Sequence, residues 1–110
     1  MKHDVINIAN AIDEKIQQLE IMRSEIKNRT ENKAKAISEY DKALALEIVR
    51  LRDEGTPSTI VEKIAKGNCY KQRYDLELAE GLYKSLISNM NCVQAELNGL
   101  QSINRHLSEI

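Results

Sequence analysis

An all-α fold, a long antiparallel helical hairpin of coiled-coil character, follows from three features of the 110-residue sequence. Apolar residues recur in alternating steps of three and four on both sides of one short interruption. That interruption, Glu54 to Pro57, contains the only proline of the chain and a glycine. The composition has no Trp and no Phe, and its aromatics are four tyrosines, so aliphatic rows must do the packing that rings do in most cores.

The first helix is expected over about 3–54. Val5, Ala9, Ile12, Ile16, Leu19, Ile26, Ile37, Tyr40, Leu44, Ile48 and Leu51 form the stripe, and no Gly or Pro falls between Met1 and Glu54. About fifty helical residues would run roughly 75 Å. In the middle of the stripe Arg23, Thr30 and Lys33 take seam positions, where polar residues cost stability but set register and partner number. Arg50 and Arg52 suit a helix C-terminus, Gly55 suits the left-handed residue that ends it, and Thr56-Pro57 cannot continue it. The turn is placed at 55–57. Thr56 or Ser58 is the expected N-cap of the next helix, with Thr59-x-x-Glu62 offering a capping box in a second register.

The second helix is expected over about 58–108, with Leu78, Leu82, Leu86, Met90, Val93, Leu97, Leu100, Ile103 and Leu107 as its stripe. Gly67-Asn68 permits either a helix end, which gives three helices, or a kink. Continuation with a kink is preferred, since a mid-helix glycine costs only about 1 kcal/mol. Gly81 and Gly99 are candidate close approaches, and Cys92 reads as core. A hairpin closing at Gly55 to Pro57 brings residues whose numbers sum to about 113 face to face, Lys33 near Glu80, Arg23 near Met90 and His3 near Ile110. The whole chain, 1–110, reads as a single hairpin domain. Two helices leave much apolar surface uncovered, so a homo-oligomer is expected, first of all a dimer forming a four-helix bundle.

Sixteen basic and seventeen acidic residues leave a net charge of -1. The signs alternate along the helices, with Glu25 and Arg29, and Glu31 and Lys35, in the favourable i,i+4 order. A nucleic-acid binder normally carries a basic excess on one face. Arg23, Lys27, Arg29, Lys33 and Lys35 come nearest to one, and the first four with Lys71 carry the second functional reading, a nucleic-acid-associated accessory factor.

The N-terminus meets charge at once and sustains no apolar run, so neither a signal peptide nor a membrane span is expected. Two cysteines, Cys69 and Cys92, make no disulfide framework or zinc set, which fits a reducing cytoplasm. His3 and His106 lie at opposite termini and would meet at the open end of the hairpin. The chain contains no Glu-x-x-His, His-Glu-x-x-His, Gly-x-Ser-x-Gly or phosphate-binding glycine loop. No catalytic residue, cofactor or metal is assigned, and the expectation is a non-enzymatic protein.

Candidate partner-binding residues are Pro57, Asn68, Tyr70, Lys71 and Tyr74, because the breaks and the tyrosines concentrate there. Tyr70, Tyr74 and Tyr83 with Lys71 and Arg73 combine rings and cations, which serve protein hot spots or base stacking. Asp75 and Glu77 beside them favour an unidentified protein partner.

The order L-R-D-E-G, T-P-S-T-I-V-E-K-I-A-K-G, then Tyr-Lys-x-x-Tyr-Asp-x-x-x-Ala-Glu-x-Leu-Tyr-Lys, spanning roughly residues 46 to 107, resembles small helical proteins of phages and prophages of Gram-positive bacteria. The resemblance implies a phage accessory protein of the bacterial cytoplasm that acts by binding, in replication, recombination, assembly or inhibition of a host factor. For the nucleic-acid-associated reading it implies a role in phage replication or recombination. It carries over no functional residue. The absence of Trp-x-Gly separates the chain from the secreted hairpins of type VII systems, which share the two-helix outline.

Overall fold

The computed structural model describes residues 2–109, with side chains from Asp4 onward. Three α-helices follow in order, α1 Lys2–Asp53, α2 Ser58–Asn68 and α3 Tyr70–Ser108, and the described residues contain no strand. The fold class is the all-α hairpin that the apolar periodicity predicts. By internal packing the chain divides into two units, Met1–Lys27 with Lys84–Ile110, and Asn28–Tyr83. The expected pairing of His3 with Ile110, and of His3 with His106, lies outside the described side chains.

α1 ends as its chemistry requires. Gly55 takes φ 85°, which only glycine adopts without strain. Its N–H donates to the Arg52 carbonyl at 3.0 Å, and the Thr56 N–H donates to the Leu51 carbonyl at 3.0 Å. These two bonds make a Schellman motif that satisfies two of the helix's terminal carbonyls. Arg50 and Arg52 in the last turn complement the negative end of the helix dipole.

The restart differs from expectation. Pro57 itself is the N-cap of α2, at φ -56° and ψ 134°, and no side chain caps the helix. Its carbonyl accepts from the Ile60 N–H at 3.1 Å to close the first turn. Ser58 is thereby already inside the helix, so neither it nor Thr56 serves as cap. Glu62 pairs with Lys66 at 3.1 Å instead of completing a capping box.

The preferred single helix over about 58–108 does not form: the stretch is interrupted, as the three-helix alternative has it, but at Cys69 rather than at Gly67-Asn68. Cys69 sits at φ -92° and ψ 26°, in the bridge region open to any residue. The hydrogen-bond register survives on both sides. The Cys69 N–H donates to the Ala65 carbonyl and the Arg73 N–H to the Cys69 carbonyl, each at 3.0 Å. The break is therefore one residue wide, and Gly67 and Asn68 stay helical.

In the first unit, Leu19, Val93 and Leu97 form a buried cluster with Ile12 and Met22 packed against it. Lys15 makes an ion pair with Glu96. Leu86 is also buried, whereas Cys92 is exposed. Val93 takes the inward position, and one residue back along a helix turns a side chain by about 100°. The expected core role of Cys92 is corrected on that ground.

In the second unit, Leu51, Val61 and Ala65 form the core where α1 meets α2, with Leu44 and Ile48 against it. Ala36, Tyr40 and Cys69 are buried as well. Arg29 Nη1 donates to the Leu82 carbonyl at 2.7 Å, and the Arg73 guanidinium lies 6.0 Å from the centre of the Tyr40 ring. These contacts run antiparallel and agree with the expected register to within a turn. Lys33 lies over the Tyr83 ring at 4.8 Å, one turn from its expected neighbour Glu80.

The seam itself departs from the predicted stripe at several places. On α1 Arg23, Thr30, Ile16 and Ile37 are exposed, and the half-buried positions include Lys15, Met22, Arg29 and Lys33, which lie outside the apolar stripe or sit on it as polar exceptions. On α3 Leu78, Leu82 and Ile103 are exposed, and Leu76, Ala79, Tyr83 and Asn104 take the inward positions. Long cationic stems are at home there, since their methylenes cover apolar surface while the charged head finds a ring or a carbonyl. Neither Gly81 nor Gly99 marks a close approach, because a Cβ at either meets nothing within 4 Å.

Candidate functional site

The surface singled out from the sequence lies where α2 gives way to α3, inside the Asn28–Tyr83 unit. Its five residues separate into three roles.

Pro57 is exposed and serves as the N-cap of α2. Asn68 is tied to α1, its side-chain amide donating to Glu47 Oε1 at 2.9 Å. The same carboxylate accepts from Arg50 Nε at 3.2 Å, and Arg50 Nη1 reaches Glu54 at 2.6 Å. This network fixes the end of α2 against the last turns of α1, just before the break at Cys69. Asn68 is thus a side chain that holds the surface in place.

Hydrogen bonds from Arg50, then from Asn68, hold the Glu47 carboxyl below its ordinary value of 4.5. A carboxyl whose folded pKa is depressed adds stability that is complete above the unfolded value and disappears as pH falls through the folded one. Thermal melts of the wild type are expected to weaken as pH drops below about 4.5, and Glu47→Gln should remove part of that dependence. An identical pH slope in both proteins would show that the network contributes nothing. The Arg50 guanidinium is held above its ordinary value by the same partner.

Tyr70, Lys71 and Tyr74 are brought together. Tyr70 is 64% exposed and Tyr74 66% exposed. With Lys71 and Asp75 they line a shallow groove of about 340 Å³. Asp75 also borders a second groove of about 260 Å³, lined by Arg29, Asn32, Leu78, Ala79 and Leu82. Leu78 and Leu82 stand 49% and 47% exposed. Sequence reasoning missed them as surface residues by placing them in the hairpin seam. The signal that finds them is spacing, since Tyr70, Tyr74, Leu78 and Leu82 recur every four residues and share one side of α3.

The remaining members of the aromatic and basic cluster face the other way. Tyr83 is half-buried beneath Lys33. Arg73 pairs with Glu77 at 3.0 Å and leans over Tyr40, and these two partners, Glu77 first, raise its pKa. Of the cations that suggested nucleic acid, Arg29 and Lys33 engage groups of α3 within the same unit. Arg23, Lys27 and Lys71 are exposed.

Among the described residues no group of three or more His, Cys, Asp and Glu side chains is arranged to hold a metal ion. No helix of the described residues is long and apolar enough to cross a membrane. No protein family, no curated protein and no solved structure matches the chain.

Proposed function

We propose that this chain is a non-enzymatic helical interaction protein that self-associates and presents the turn-proximal part of α2 and α3 to a protein partner, as an adaptor or an inhibitor. The observation that carries the reading is the pair of tyrosines, Tyr70 and Tyr74, each about two-thirds exposed beside half-exposed Leu78 and Leu82. Exposed rings grouped with aliphatic side chains and a cation have the composition of a protein hot spot. The inward contacts of Arg29 and Lys33 favour a protein over nucleic acid as the partner. With the phage-like pattern of residues 46 to 107, the reading extends to a small accessory factor working in the cytoplasm of a bacterial host.

The test is affinity capture from cells that make the protein, comparing wild type with Tyr70→Ala/Tyr74→Ala. Helicity should be unchanged, because both rings are exposed. The yield of the captured protein should fall at least about tenfold, as expected when two hot-spot residues are truncated. Undiminished capture would remove the assignment of this surface. Binding to labelled DNA at low salt, falling steeply as salt rises, would replace it with the nucleic-acid reading.

A further inference from the structure

α2 and α3 carry two apolar stripes, and the hairpin uses one of them. The buried face runs from Val61, Ala65 and Cys69 to Leu76 and Tyr83. It keeps steps of three and four across the break, in keeping with the unbroken hydrogen-bond register at Cys69. At 100° per residue, a second set lies from about 100° to nearly 180° away from the middle of that face, namely Ile60, Ile64, Tyr74, Leu78 and Leu82. All five are exposed. Gly67 and Lys71 occupy the two intervening positions, so the spacing from Ile60 to Leu78 is again four, three, four, three, four. A sustained repeat of that kind is the pattern of a helix–helix seam.

We infer that a second copy of this chain covers this face, its α2–α3 stretch packing antiparallel to the first about a two-fold axis at Lys71. This rests on the self-association in the proposed function and gives it a surface and an orientation. Three features make the face complementary to itself in this orientation. Ile60 lies opposite Leu82 of the second copy, and Ile64 opposite its Leu78, so every aliphatic residue meets another. The groove of about 260 Å³ beside Leu78 and Leu82 receives the two isoleucines. Gly67 lies opposite Tyr74, the largest side chain of the stripe against the smallest, and a Cβ at Gly67 would meet nothing within 4 Å.

Charge supplies the third feature. Neither Lys71 nor Asp75 makes an ion pair among the described residues. The two-fold sets the two Lys71 side chains against each other and brings each within about one helical turn of Asp75 on the second copy, a distance its side chain spans, so that two reciprocal pairs offset the opposed ammonium charges. A parallel arrangement would instead stack Gly67 on Gly67 and leave a gap beside Tyr74. Tyr70 lies about 80° from Leu78 around the helix, at the margin of the seam, and remains available to a different protein.

Sedimentation equilibrium of the purified full chain, over a range of concentrations, is the test. A species of twice the 12.5 kDa chain mass is expected. Leu78→Lys should weaken its dissociation constant at least about tenfold without loss of helicity. Lys71→Glu should also weaken it, and Lys71→Glu/Asp75→Lys should restore it. For orientation, Lys71→Cys in a Cys92→Ser background should give a disulfide-linked dimer on mild oxidation. Leu82→Cys alone should not, whereas Ile60→Cys/Leu82→Cys should. A monomer at every concentration overturns both the inference and the self-association it rests on. A dimer indifferent to Leu78→Lys, or one linked by Leu82→Cys alone, overturns the face or its orientation and leaves self-association standing. Partner capture lost with Leu78→Lys while the dimer is unchanged would give this face to the protein partner and overturn the inference.

Discussion

Replacing Leu97 with alanine lowers the stability of the purified chain by about 2–5 kcal/mol, read from urea denaturation followed by circular dichroism. Leu97 is only 6% exposed and packs with Leu19 and Val93. Deleting three carbons there removes transfer free energy and leaves a cavity that its neighbours fill poorly. Among the described residues the cluster is wholly aliphatic, and Ile12 and Met22 are the partly buried side chains packed against it. A small domain is stabilised by roughly 5–15 kcal/mol in total, so the loss is a large share of the whole. Ile103→Ala, on the exposed side of the same helix, should stay within about 0.5 kcal/mol. Equal effects at the two positions would mean that the cluster is not the core of its unit.

The second large effect is expected at Ala65, which is 0% exposed and sits with Leu51 and Val61 where α2 packs on α1. Ala65→Asp places a carboxyl among Leu44, Ile48, Leu51 and Val61, none of which can hydrogen-bond it. The expected loss is at least about 3 kcal/mol at neutral pH. Desolvation raises the folded pKa of such a carboxyl above its unfolded value. The destabilisation should therefore be smallest below about pH 4, where the group is neutral in both states, and grow as pH rises above it. Melts at acid and neutral pH, with Lys63→Asp as the exposed control on the same helix, measure it. A loss that is the same at both pH values would show that the introduced carboxylate reaches water.

Much of the architecture is legible because it depends on neighbours in sequence. The end of α1 at Asp53 follows from Gly55, whose left-handed φ completes a Schellman motif, and from Pro57, which cannot extend the helix. Gly67-Asn68 allows an interruption through glycine's weak helix propensity, but a continuous, kinked helix is the preferred expectation, and the backbone departs instead at Cys69. The network joining Glu47, Arg50 and Asn68 lies immediately before that point. Its partners are twenty-one positions apart, too far for any local rule to join them.

The candidate site is legible in part for the same reason. Tyr70, Lys71 and Tyr74 are found as a cluster from composition and spacing, and they do line one groove. Their exposure was not derivable, nor was the company of Leu78 and Leu82. Both leucines fit a regular four-step series, and periodicity counts apolar residues without saying which series faces inward. Arg29 and Lys33 mislead in the opposite sense. As cations they read as surface, whereas the hairpin gives their heads a carbonyl and a ring and half-buries their stems.

By itself, then, the sequence determines an all-α hairpin, the place of its turn with the glycine that ends α1, and an apolar surplus beyond what one seam buries. Each of these rests on backbone preferences and spacing within a few residues. Only the tertiary structure decides which apolar stripe is buried, that Cys69 rather than Gly67 carries the break, and that Asn68 is tied to Glu47 of α1 while the Tyr70 and Tyr74 rings face water. Those outcomes turn on which side chains from distant parts of the chain fill the space between helices, and two stripes of similar apolar content on one helix differ in nothing else.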